Sequence, residues 1–368
     1  DLRPGISLSV FGLHLNRHET WAELARPLMD YMARSAFLLR QGRVVADIAY
    51  FYGEEAPIVG LYGHRALAEL PAGYTHDFVN SDAILNEFSV QGGKLVTRSG
   101  MQYSMLYLGG SSARMTLPVL RKLGELAAQG AVIVGDMPVS SPSLEDDPEE
   151  FARSAREVFA ADAGLIQRKQ DLASVLSRLQ LQPDFSFQSA TKLAPDAVLF
   201  RHRRTQEGDL YFVANRGALP LTLDARFRVS GKVPEVWHPD SGQRERVAWR
   251  AQGAVTEVPL KLGPHQSLFV VFRQDTTLGA WTPAQDPPPV RRQLAGPWRL
   301  EFPLSGGAAE QVELAGLQSW TQLPSPKMQY FSGTAGYRQS IEIPRQWVEQ
   351  GGTIHLDLGD VRDIARVS

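Results

Sequence analysis

The period of the apolar pattern changes near Ala197, so the two halves of the chain cannot share one architecture. Upstream, strand-like runs alternate with helical ones. Val44 to Tyr52 (VVADIAYFY) reads as a buried strand, and Ser81 to Phe88 as a short helix with Ser81 as its N-cap. Tyr103 to Leu108 is a second strand, followed by Gly109-Gly110-Ser111-Ser112. A helix then runs from about Thr116 to Gln129, with Pro118 in its first turn and Gly130 as its stop. Ala131 to Gly135 is a third strand. Strand, glycine turn, helix, strand is a βαβ unit, which predicts a flavodoxin-like α/β domain with a parallel sheet over residues 42–192. Further helical pattern lies between Pro148 and Leu179.

Downstream, the runs are short and alternating: Val198 to His202, Asp209 to Val213, Leu221 to Val229, Glu235 to Trp237, Val255 to Leu260 and Ser267 to Phe272. Turn residues separate them at sandwich-like spacing, which predicts a β-sandwich over 193–281. Thr282 to Val290 (TPAQDPPPV) marks a proline-rich linker, 282–293. Residues 294–368 are β-patterned again, with Trp298 to Phe302, Ala335 to Ile343 and Thr353 to Leu358, and read as a second sandwich cut off before its final strands. The first 41 residues are mainly helical, with apolar positions Trp21, Leu24, Ala25, Leu28, Met29, Met32, Ala36 and Leu39 and a break at Pro27. The two ends read as cuts within a longer protein.

Charge and cysteine content remove several functions. Lys plus Arg is 38 and Asp plus Glu is 40, a net charge of −2, which excludes nucleic-acid binding driven by phosphate neutralisation. There is no cysteine, hence no disulfide, thiolate nucleophile or cysteine-ligated metal. No apolar stretch approaches the ~20 residues of a membrane span. A cysteine-free chain fits a periplasmic or secreted protein, and fits a cytoplasmic one as well. Oligomeric state is left open.

Four constellations are candidates for chemistry. Gly109-Gly110 lies between a strand and a helix, where a phosphate could bind, but it is neither G-x-G-x-x-G nor a P-loop and reads as a tight connection. Glu145, Asp146, Asp147, Glu149 and Glu150 lack calcium-loop spacing and fit helix capping better. Tyr74 to Asn80 combines aromatic and amide groups suited to sugar recognition, or caps a helix through Asn80 or Ser81. His14 to Trp21 is the densest polar stretch, with two His, Arg, Asn, Glu and Trp in eight residues. A carboxylate there, among cationic neighbours, can act as a general base or merely favour a helix start.

The block Gly12-Leu13-His14-Leu15-Asn16-Arg17-His18-Glu19-Thr20-Trp21-Ala22-Glu23 resembles a hallmark stretch of the bacterial α-L-rhamnosidases of glycoside hydrolase family 106. The likeness continues through Val45 to Glu54, Asp77 to Asp82 and Leu106 to Gly110. It reaches Tyr330 to Arg338 and Leu356 to Val361, blocks also similar to the sugar-binding sandwich of β-galactosidase-like enzymes. The resemblance implies a catalytic (β/α)8 barrel whose last strand-loop and closing helix are residues 1–41, then the α/β domain and the two sandwiches. It implies hydrolysis of rhamnose-containing glycans or glycosides with inversion, by two carboxylic groups. Glu19 would be one of the pair, as general base, with the partner acid upstream. His14, Asn16, Arg17 and Trp21 would orient Glu19 or hold the sugar. It also implies calcium near the substrate, with ligands mostly upstream. The competing reading is a non-catalytic carbohydrate-binding or scaffold region of a β-galactosidase-like enzyme.

Overall fold

The computed structural model describes residues 21–55, 70–160, 165–166, 172–194, 196–284, 290–303, 309–331, 333–349, 354–359, 361 and 364–368. The chain divides into two compact units, residues 27–284 and residues 1–26 with 285–368. The division after residue 284 falls inside the proline-rich stretch.

Helix α1 (Arg26–Leu39) begins within a residue of Pro27 and runs to just before Gly42. Gly42 has φ +56°, and a Cβ there would lie 2.0 Å from the Arg204 carbonyl oxygen, so only glycine fits. The strand read from 44 to 52 is two strands. β1 (Arg43–Val44) pairs antiparallel with residues 203–204, and β2 (Ile48–Phe51) enters a parallel sheet. The chain changes sheets between them: the Val45 amide bonds the His202 carbonyl, and the Asp47 amide bonds that of Thr75. Asp47 carries the break, because its buried carboxylate needs a cation that a strand core cannot supply.

β2 is joined by β3 (His76–Val79), β7 (Met105–Leu108), β8 (Ile133–Val134) and β9 (Leu165–Ile166) in the order β3-β2-β7-β8-β9. Counted along the chain this is 2-1-3-4-5, the doubly wound flavodoxin-like order. Every residue of β2 and β7 is buried, as a sheet covered on both faces requires. On one face, Ala49, Phe51, Leu106 and Leu108 pack with residues of α2 (Leu117–Ala128) and α3 (Pro148–Val158). On the other, Ile48, Tyr50, Met105 and Tyr107 meet Val175 and Leu176 of α4 (Leu172–Arg178). The stretch read as continuously helical from 148 to 179 thus contains β9, too short for a periodic signal. Before β7 lies a small antiparallel sheet of β4 (Ser89–Gln91), β5 (Lys94–Val96) and β6 (Gln102–Tyr103).

The sandwich read from the alternating runs is present. One layer holds β1, β11 (Val198–Arg204), β12 (Asp209–Asn215), β18 (Ser267–Asp275), β14 (Lys232–Trp237) and β15 (Arg244–Arg246). The other holds β10 (Phe185–Gln188), β13 (Leu221–Phe227), β17 (Val255–Leu262), β16 (Trp249–Gln252) and β19 (Ala280–Trp281). Leu221, Leu223, Ala225 and Phe227 turn inward against Tyr211, Val213, Val270 and Phe272. α1 lies on the outer face of the first layer, where Leu38 and Leu39 pack on Leu210, Phe269 and Val271. Arg34 fixes it by donating to the carbonyls of Pro239 and Asp240 at 2.9 and 2.8 Å.

In the other unit, β20 (Trp298–Pro303) sits between β21 (Ala309–Leu314) and β22 (Gly336–Arg338). Leu300, Phe302, Leu314, Leu323 and Met328 form its core. Residues 354–359, read as part of a strand, are in no strand. Their alternation supplies an apolar face, with Ile354, Leu356 and Leu358 still exposed, but no neighbouring strand to pair with among the described residues.

Candidate functional site

His14, Asn16, Arg17 and Glu19 lie outside the described residues. Trp21 is described: it is half-buried and heads a single 3-10 turn, Ala22–Leu24, its carbonyl accepting from the Leu24 amide at 2.9 Å.

Two polar regions flank the parallel sheet. The first is at the carboxyl ends of its strands, where doubly wound proteins bind ligands beside the switch point. Here the donors are spent. The Gly109 amide bonds the Phe51 carbonyl at 2.9 Å, the Gly110 amide bonds the Tyr50 hydroxyl at 3.0 Å, and the Ser111 amide bonds the Tyr52 carbonyl at 3.0 Å. A Cβ on Gly109 would stand 2.1 Å from the Tyr50 hydroxyl. At the start of α2, Glu54 accepts from the Thr116 amide (2.6 Å) and hydroxyl (3.1 Å), and Asp146 accepts from the Leu117 amide at 2.8 Å. Two carboxylates thus occupy the place a phosphate would take at a helix N-terminus. The glycine turn is a tight connection, as read.

The acidic cluster is accounted for in the same way. Asp146 also accepts from Ser141 at 2.5 Å, Asp147 caps α3 by accepting from the Glu150 amide at 2.7 Å, and Glu150 pairs with Arg121. Among the described residues no three His, Asp or Glu side chains gather as a metal site. The 74–80 stretch is consumed internally too. Tyr103 donates to Asp77 at 3.0 Å, and Asn80, rather than Ser81, caps the next turn by accepting from the Ala83 amide at 2.9 Å. Burial, reinforced by Asp77, pushes the Tyr103 hydroxyl far above its ordinary pKa, so it stays a donor.

The second region is the seam between the amino end of the sheet and the sandwich. His202 of β11 is buried, its Nδ1 3.0 Å from both carboxylate oxygens of Asp184 and its Nε2 2.9 Å from Asp209 of β12. Both ring nitrogens can donate only as the imidazolium. Burial opposes that charge, but the hydrogen bonds to Asp184 and Asp209 outweigh it and hold the His202 pKa above 6.5. Asp209 is held below its ordinary value: burial raises it, and the bonds from His202 and Arg204 overcome the burial. Tyr211 stacks on His202 at 3.9 Å and donates to Asp184 at 2.8 Å. Arg228, the residue after β13, grips both oxygens of Asp47 at 2.8 and 3.0 Å and lies 3.3 Å from Asp184. Burial is the main influence on Asp47 and raises its pKa despite Arg228. Asp47, Asp184 and Asp209 thus face Arg228, His202 and Arg204. The set holds the α/β layer to the sandwich, and each carboxylate is already committed to cationic donors. The alternating pattern missed it because His202 ends an apolar run. The usable signal was a histidine at an inward strand position beside the acidic start of the next strand.

With one crevice closed and the seam locked, the described residues define a mixed α/β and β-sandwich assembly that carries no free nucleotide or metal cradle among those residues. The α-L-rhamnosidase model of glycoside hydrolase family 106 matches residues 1–251, and the chain belongs to that family. A protein of Formosa agariphila named putative beta-glucuronidase is 35% identical over 277 residues, 74% of this chain and 23% of that protein. The solved rhamnosidase of Novosphingobium sp. PP1Y superposes with a TM-score of 0.80 at 39% identity, over 90% of this chain and 32% of that one. The chain therefore spans between about a quarter and a third of these relatives' length. No helix among the described residues is long and apolar enough to cross a membrane.

Proposed function

We propose that this chain is part of an α-L-rhamnosidase that cleaves rhamnose-containing glycans or glycosides with inversion. Glu19 activates the attacking water as general base, and the acid that protonates the leaving oxygen lies upstream of Asp1. The carrying observation is the family match over residues 1–251, which includes the polar block from His14 to Trp21. In inverting hydrolysis the two carboxyl groups stand roughly 6.5–9.5 Å apart to admit a water, so one carboxylate alone cannot complete the cycle. His14, Asn16 and Arg17 orient Glu19 or bind sugar hydroxyls, and the Trp21 ring offers a stacking face for the sugar. Calcium has no fitting donor set among the described residues.

α1 supports residues 1–41 as the end of a barrel. Its inner side packs on the sandwich, yet Leu28, Met29, Met32 and Phe37 are 41–64% exposed on other faces. A helix apolar on more than one side is suited to lie between two layers. We place the intact enzyme outside the cytoplasm, in the periplasm or secreted, which cell fractionation checks.

The test is Glu19→Gln in the intact enzyme. Loss of a general base costs at least ~100-fold in turnover on an aryl rhamnoside, with the thermal transition unchanged. Near-normal turnover removes Glu19 from the chemistry. A panel of aryl rhamnoside, glucuronide and β-galactoside distinguishes the sugar.

A further inference from the structure

The cleft of about 750 Å³ at the amino end of the parallel sheet is unassigned by any family reading. Its lining includes Lys94 and Gln102 of the β4–β6 sheet and Arg204, Thr205 and Gln206 of the β11–β12 turn. The segment that changes sheets, including Arg43 and Val45, also lines it. That volume is within the ~300–1,000 Å³ range of small-molecule sites.

Its cations are not equivalent. Arg228 is taken by Asp47, and Arg204 by Asp209 at 2.8 Å. Arg43 makes its hydrogen bond to a neutral group, the Gly100 carbonyl at 3.1 Å. Lys94 is exposed on its strand, and its side chain has no carboxylate partner among the described residues. Two positive charges therefore face the cleft without a carboxylate of their own among the described residues. Half-buried Val45, Met101 and Leu181 offer apolar surface, while Gln102 and Ser104 offer hydrogen-bonding groups. Apolar patches for sugar C–H faces, amides and hydroxyls for sugar hydroxyls, and paired cations for carboxylates are the features an acidic saccharide requires.

We propose that this cleft binds a carboxylate-bearing oligosaccharide, with Lys94 and Arg43 as the anion-recognising residues. It would hold an acidic stretch of a glycan. The reading that the enzyme acts on glycans supplies the ligand class, but the site stands on its own geometry.

The experiment is calorimetric titration of the intact protein with digalacturonic acid, its carboxyl-reduced neutral counterpart and inorganic phosphate. Digalacturonate binds, the neutral disaccharide binds at least tenfold more weakly, and phosphate more weakly still. Each charge-assisted contact contributes about a tenfold change in affinity. Lys94→Ala therefore weakens digalacturonate about tenfold and Lys94→Glu more. Lys94→Ala combined with Arg43→Gln abolishes measurable binding, and all three keep the wild-type thermal transition. Equal affinity for the neutral disaccharide overturns the proposal, and so does phosphate binding as tightly as digalacturonate. Unchanged affinity in Lys94→Glu overturns it as well. Hydrolysis of a neutral aryl rhamnoside by the wild-type protein, assayed alongside, decides the glycosidase reading separately, so either idea can fail alone.

Discussion

The two edges of the parallel sheet are used in opposite ways. At the carboxyl edge, Glu54 and Asp146 cover the first amides of α2, and Tyr50 occupies the glycine turn. At the amino edge, Asp47 is spent on Arg228 of the sandwich, and the adjoining cleft retains Arg43 and Lys94 without acidic partners among the described residues. A doubly wound topology thus says where free backbone donors can arise, and the side chains decide whether any stay free. In this chain the usual ligand edge has become internal support, and the free cations lie at the edge that usually carries none.

The largest effect should come from breaking the seam. Asp184 is fully buried and faces His202, Tyr211 and Arg228. Asp184→Ala takes one of two carboxylates from His202 and from Arg228 and the acceptor from the Tyr211 hydroxyl, and should cost about 3–5 kcal/mol in urea unfolding. A loss under ~1 kcal/mol would mean the seam is solvated and the contrast between the edges is lost. Gly109→Ala tests the closed edge by crowding. Its Cβ meets the hydroxyl of buried Tyr50 at 2.1 Å, so the ring must move, with an expected loss of about 1–3 kcal/mol.

Glu54→Ala is subtler. Removing a carboxylate that covers helix N-terminal donors should cost about 1 kcal/mol. It also exposes the Thr116 amide, so sulfate should raise the thermal transition of the variant more than that of the wild type. Equal sulfate responses would show that Glu54 does not stand where an anion could.

The sequence disclosed what periodicity encodes. The glycine turn, α2 and the inward alternation of β13 were legible because each repeats a pattern over several residues. β8 and β9, at two residues each, were beyond that signal, and β1 was hidden because its apolar run continues across a change of sheet. The seam was hidden for another reason. Asp47, Asp184, His202, Asp209 and Arg228 are dispersed over more than 180 positions and meet only in the folded state. The His14–Trp21 block was the reverse case: dense in sequence, it drew its meaning from family likeness, and only Trp21 is among the described residues.

The smallest predicted effect is a pH dependence that separates the two edges. His202 has a folded pKa above 6.5, so its stabilising contribution is complete below about pH 6.5 and fades as pH rises through the folded value. Asp209 is lowered, so its contribution is present above its ordinary pKa of 3.8 and is lost as pH falls through the folded value. Asp47 has the opposite sign, because burial favours its neutral form, and it slightly softens acid loss. The seam is therefore strongest between about pH 4 and pH 6.5. Wild type and His202→Gln should differ most in urea midpoint near pH 5–6, and the gap should narrow towards pH 9. Glu54→Ala should show no such narrowing, since no histidine among the described residues bonds Glu54. A gap for His202→Gln that is flat from pH 5 to 9 would mean the ring is neutral when folded. One of its two carboxylate contacts would then be between acceptors, and the seam would be weaker than the closed edge it is compared with.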